Sequence, residues 1–133
     1  MSKPVEIIPF RAEHIEAAAK LLTHRTQQEQ MSKKFYFQIA EKAITNLWGK
    51  PPVFGIAATI DGELIGYLIS YAIIDAMMGR TAWIPIDGYA IAQGQSNELY
   101  RDMYAALSSK WVNNGIFDHF VMVAAENKVL LDT

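Results

Sequence analysis

With 133 residues the chain has the length of one domain, and its 51% hydrophobic and 20% charged residues supply enough apolar material for a packed core. Twelve Lys and Arg against fourteen Asp and Glu give a formal charge of −2, a near balance that argues against a nucleic-acid partner. The absence of Cys excludes disulfide scaffolds, cysteine nucleophiles and thiolate metal sites.

The three histidines, His14, His24 and His119, lie far apart, and no metal site is expected. No stretch approaches the ~18 uncharged apolar residues of a membrane span. The N-terminal MSKPVEIIPF also lacks the apolar run of a signal peptide. A cytoplasmic domain without a membrane partner is the expectation.

In chain order, Val5 to Phe10 is short, rich in β-formers and carries Pro9, so it reads as an edge strand. Ile15, Ala18, Ala19 and Leu22 then recur at the spacing of one helix face, with Glu13 and Glu16 in the first turn. The polar stretch Thr26 to Lys34 interrupts the pattern. A second helix shows Tyr36, Ala40, Ala43, Ile44 and Leu47 on one face, and Gly49, Pro51 and Pro52 end it.

Beyond the prolines the period changes. Val53 to Ile60 and Leu64 to Ile74 are dense in β-formers and are separated only by Asp61, Gly62 and Glu63. The Asp-Gly pair predicts a hairpin closed by a type I′ turn. The segment Asp75 to Thr81 reads as the next turn. A third strand of this group runs from about Ala82 to Ala92, where Pro85 and Asp87-Gly88 predict a bulge or an incompletely paired edge. A long helix opens at Ser96 or Asn97, either a candidate cap. It carries Leu99, Met103, Ala106 and Leu107 on one face, widened by Tyr100, Tyr104 and Trp111, and stops at Asn113-Asn114-Gly115. Phe117 to Ala125 reads as a strand, and Lys128 to Asp132 as the start of a further helix. The order β-α-α-β-β-β-α-β-α predicts a mixed α/β fold with a mainly antiparallel sheet, one parallel pair and flanking helices.

This order resembles the GNAT superfamily of acyl-CoA-dependent N-acyltransferases. The resemblance is carried by the hairpin VFGIAATI-DG-ELIGYLISY, the strand ending GYAIA, the helix closed by Asn-Asn-Gly, the strand HFVMVAAE and Asn127. The stretch ELYRDMYAALSSKWVNNG is similar to the N-terminal half of bacterial proteins with two such domains in tandem. The resemblance implies one GNAT-like domain over residues 1–133, without the family's last strands. It implies acetyl transfer from acetyl-CoA to an amine, with no metal.

The resemblance also implies site residues. The pantetheine arm would lie along Ala90, Ile91 and Ala92, and the pyrophosphate on the loop Gln93, Gly94, Gln95 and Ser96 at a helix N-terminus. Asn127 would stand near the cofactor. Asp87 is the candidate general base, with Tyr89 or Tyr71 assisting. Against the family pattern Gln/Arg-x-x-Gly-x-Gly/Ala, Ser96 replaces the first glycine and Glu98 the second small residue. That departure predicts weak acetyl-CoA binding and sets a second function beside the first, a non-catalytic scaffold or dimerisation domain. The family's tyrosine general acid would fall just past Thr133. An uncovered last strand and a mean hydropathy of +0.07 predict a homo-oligomer, a dimer or a pairing with a second GNAT domain. His119 reads as a histidine satisfied at the edge of the core.

Overall fold

The computed structural model describes residues 4–26, 33–75, 79–116 and 118–121. Strand β1 (Glu6–Pro9) leads through a 3-10 turn (Ala12–His14) into α1 (Ile15–Thr26) and α2 (Lys33–Trp48). Then follow β2 (Val53–Ile60), β3 (Glu63–Asp75), β4 (Gly79–Ile84), β5 (Tyr89–Ile91), α3 (Glu98–Asn113) and β6 (Asp118–Val121). The sheet order is β1-β2-β3-β4-β6, and β5 also pairs with β3. All pairs are antiparallel except β4 with β6. The expected mixed, mainly antiparallel sheet with flanking helices is the architecture found.

The hairpin between β2 and β3 closes as expected. Ile60 pairs with Glu63, and the two residues between them, Asp61 (φ 55°) and Gly62 (φ 80°), both take the left-handed conformation of a type I′ turn. Alternation along β3 then divides the core. Tyr67 and Ile69 pack with Phe10, Ala18, Leu22, Ile44 and Leu47 under α1 and α2. Leu68 packs on the other face with Ile84, Tyr89, Met103, Leu107 and Trp111 under α3. The predicted stripe of α1 is buried through Ala18, Ala19 and Leu22, and that of α3 through Leu99, Met103 and Leu107. Tyr100 and Trp111 belong to the core, and the Trp111 indole N–H donates to the buried Ser70 hydroxyl at 2.8 Å.

Four local expectations are revised. Glu13 lies in the 3-10 turn, because the His14 imidazole Nδ1 accepts the Arg11 amide at 2.9 Å and holds that turn ahead of α1. The turn placed over Asp75 to Thr81 is shorter, since Gly79 already pairs with Asp75 and Arg80 with Ile74. The strand placed over Ala82 to Ala92 is two strands, β4 and β5, on the same edge of β3. Asn97 occupies the N-cap of α3 in a helical conformation, and its side chain makes no capping bond. Phe117, the residues after Val121 and the helix expected from Lys128 lie outside the described residues. No helix among the described residues is long and apolar enough to cross a membrane.

Candidate functional site

The break between β4 and β5 builds the site. Along β3, three steps separate Leu68 from Tyr71, whereas six separate their partners Tyr89 and Trp83. The extra residues form a tight turn over 85–88, closed by the Gly88 amide donating to the Pro85 carbonyl at 2.8 Å. Pro85 has no N–H for the ladder, which suits a residue where strand pairing stops. Gly88 is dictated by space: a Cβ there would stand 2.5 Å from the Ile69 carbonyl oxygen and 3.0 Å from Pro85 Cδ.

Every carbonyl of this turn is engaged. Gly88 accepts the Ile69 amide at 2.7 Å, and Asp87 accepts the Tyr67 hydroxyl at 2.9 Å. Ile86 accepts the Arg25 guanidinium through Nη2. The main chain on both sides of the Asp87 side chain is therefore pinned from β3 and from the end of α1. Burial pushes the Tyr67 phenol far above its ordinary range, Asp87 adds to the shift and Arg25 opposes it. Tyr67 consequently remains a protonated donor at any working pH.

Beyond the turn, two main-chain hydrogen bonds fix which way β5 faces. The Ile69 amide reaches Gly88, and the Ala92 amide reaches Ile65 at 2.8 Å. By the alternation of an antiparallel ladder, Ala90 spends its main-chain groups and Ala92 its amide on β3, and Ile91 turns its N–H and C=O to the outer edge. Among the described residues no strand lies beside that edge. An outward amide and carbonyl are the complement of a ligand that carries its own amides in extended form.

The loop that follows turns at Gly94, whose φ is 91°, with the Gln95 amide on the Ala92 carbonyl at 3.1 Å. It delivers the chain to the α3 N-terminus, where Leu99 bonds Ser96. Gln93, Gly94, Ser96 and Glu98 are exposed. The Asn97 side chain makes no capping bond, and of the first-turn amides of this 16-residue helix that of Leu99 is already taken by Ser96. Glu98 sets a carboxylate in that same first turn, where it complements the helix dipole in place of an incoming anion.

The structure thus brings Asp87, Ile91 and the 93–96 loop into one continuous segment between β4 and α3. Asn127 and the His119 side chain lie outside what is described. Tyr71 pairs with Trp83 beyond the far side of the turn, and Tyr89 lies under the Arg25 guanidinium, whose carbon is 4.2 Å from the ring centroid. Arg25 carries no motif and escapes sequence reasoning, because a basic residue in the last turn of a helix reads as dipole compensation.

No family model matches the sequence, and no curated protein matches it. Solved structures do. An aminoglycoside N-acetyltransferase in complex with CoA superposes with TM-score 0.72 at 13% identity, covering 99% of this chain and 85% of that one. A ribosomal-protein-alanine N-acetyltransferase from Brucella melitensis gives TM-score 0.68 at 16% identity, with coverages of 94% and 84%. A transcriptional regulator from Bacillus halodurans gives 0.72 at 14% identity, with 97% and 88%. The chain has the fold of the GNAT acetyltransferases.

Proposed function

We propose that the chain is an N-acyltransferase that takes its acyl group from acyl-CoA, holding the donor mainly along the outer edge of β5. The observation that carries this reading is the pinned turn over 85–88. It interrupts the sheet, precedes the open edge at Ile91 and carries Asp87 on a main chain with no slack. The CoA in one structural neighbour adds support by analogy of fold.

The residues present fit a donor unevenly. The Ile91 main chain suits the amides of the pantetheine arm, and the α3 N-terminus with Gly94 suits an anion, but Glu98 opposes the pyrophosphate. When bound, acyl-CoA supplies an electrophilic thioester carbonyl. Asp87 takes a proton from the acceptor ammonium, so that the amine lone pair is available for attack. Tyr67 holds the Asp87 carbonyl and Arg25 the preceding Ile86 carbonyl while it does so. General-base catalysis of this kind contributes on the order of 10²–10⁴ in rate.

A second reading is favoured by Glu98 and its neighbour Ser96, which make a poor phosphate seat. In it the domain is a scaffold, for self-association or for a second domain of the same fold. One titration separates the two. Under the first reading, acetyl-CoA and S-acetylpantetheine, which lacks the pyrophosphate, raise Tm to a similar extent. Glu98→Gln then tightens acetyl-CoA alone, by roughly 2- to 5-fold, the worth of one charge at a helix terminus. Asp87→Asn leaves both shifts intact and lowers acetyl transfer to amines by about 10²-fold or more. No shift with either donor overturns the enzyme and leaves the scaffold.

A further inference from the structure

Arg25 leaves the end of α1 and lays its guanidinium across the turn that carries Asp87. Nη2 donates to the Ile86 carbonyl, and the guanidinium carbon sits 4.2 Å from the centroid of the Tyr89 ring. Nη1 is buried and has no hydrogen-bond partner among the described residues. An unmatched buried donor is costly, and more so when it is charged. Asp87 adjoins the residue that Arg25 holds, yet the Asp87 side chain makes no hydrogen bond or ion pair with Arg25 among the described residues. A cation held over the turn from α1 and an anion carried on that turn, with no bond between them, are complementary to a ligand that carries both charges. Resting on the acyltransferase reading above, the geometry points to an acceptor that is a small amino acid: its ammonium is presented to Asp87, and its carboxylate is taken by the half-buried Arg25 guanidinium.

Three properties of the turn support this assignment. The stacking on Tyr89 and the bond to Ile86 pre-orient the guanidinium, so little rotamer freedom remains to be lost on binding. The Tyr67 hydroxyl donates to the Asp87 carbonyl while Arg25 donates to the neighbouring Ile86 carbonyl, so Tyr67 and Arg25 are held at adjacent peptides of the turn, and the charges of Arg25 and Asp87 act on the Tyr67 ionisation in opposite directions. A fixed cation beside the base also disfavours acceptors that bring several positive charges and no anion.

The test is an NMR titration of the full chain without any acyl donor. The probes are L-alanine, L-alaninamide, propionate and inorganic phosphate, up to about 50 mM, a range that reaches affinities of only a few kcal/mol. L-Alanine is expected to bind roughly 10-fold or more tightly than L-alaninamide, the worth of a hydrogen bond to a charged group. Arg25→Gln should abolish that preference, and Arg25→Lys should restore part of it, which a merely structural Arg25 would not do. If Arg25→Gln fails to fold, the comparison of L-alanine with L-alaninamide on the unmodified chain decides alone. Equal binding of the two, binding of neither, or a preference that survives in folded Arg25→Gln overturns the proposal, as does phosphate binding more tightly than propionate. Failure of the enzyme reading is seen separately. A preference for L-alanine without acetyl transfer keeps this site and removes the enzyme, whereas equal acetylation of both amines keeps the enzyme and removes this site.

Discussion

His14 holds the entry to α1 with its ring, and that makes the junction sensitive to protons. Nδ1 can accept the Arg11 amide only while it is unprotonated, so the proton of the neutral ring is placed on Nε2. Burial lowers the His14 pKa below 6.5, Glu13 partly opposes this and Arg11 assists. The unfolded chain therefore takes up the proton first. The contribution is fully present above about pH 6.5 and is lost as the pH falls through that value toward the lower folded one. Melting curves of the native chain and of His14→Gln between about pH 8 and pH 5 should diverge at the high end and converge on acidification. A difference curve that is flat across this window removes His14 from the role. Nothing in the sequence marks this histidine out. A helix start is legible from Glu13 and Glu16, but the ring-to-amide bond depends on the 3-10 geometry of three residues.

The turn over 85–88 makes two strands out of one continuous apolar run. Pro85 and Gly88 signal an interruption in the sequence, and the structure places it where they stand. The sequence does not show that both halves stay on β3, because that depends on the length of β3, which reaches from Glu63 to Asp75 and serves β5 and β4 in series. The Arg25 anchor is equally hidden. It joins residues 61 positions apart, and no local pattern reports such a contact. The element's stability rests on close approach at Gly88. Gly88→Ala should cost about 1–3 kcal/mol, the usual range for overpacking, or more if Ile69 cannot retreat. For a domain of this size that is a fall in Tm of roughly 5–10 °C. A fall under about 2 °C would mean that the turn is looser than its bonds imply. Gly62, which a Cβ would leave without close neighbours, tests the other glycine requirement: its φ of 80° makes Ala there strained by its backbone alone.

Across the whole molecule, the layers were legible because they rest on periods, 3.6 in the helices and 2 in the strands, and those periods sort Tyr67 from Leu68 without further information. The candidate site was legible only as a segment. Its chemistry comes from α1, β3 and the β4–β5 turn meeting at one point, and composition does not report that meeting. One consequence lies in time rather than in space. Alternation along β5 divides its amides into two kinetic classes. Those of Ala90 and Ala92 are locked onto β3, so deuterium should enter them only when the sheet opens. The Ile91 amide, one residue from each, faces the outer edge and should exchange orders of magnitude sooner in the free protein. A fast residue between two slow ones is a signature that a continuous, doubly paired strand cannot give. If the edge is where a thioester donor lies, saturating acetyl-CoA should slow Ile91 toward its neighbours and leave their own rates almost unchanged.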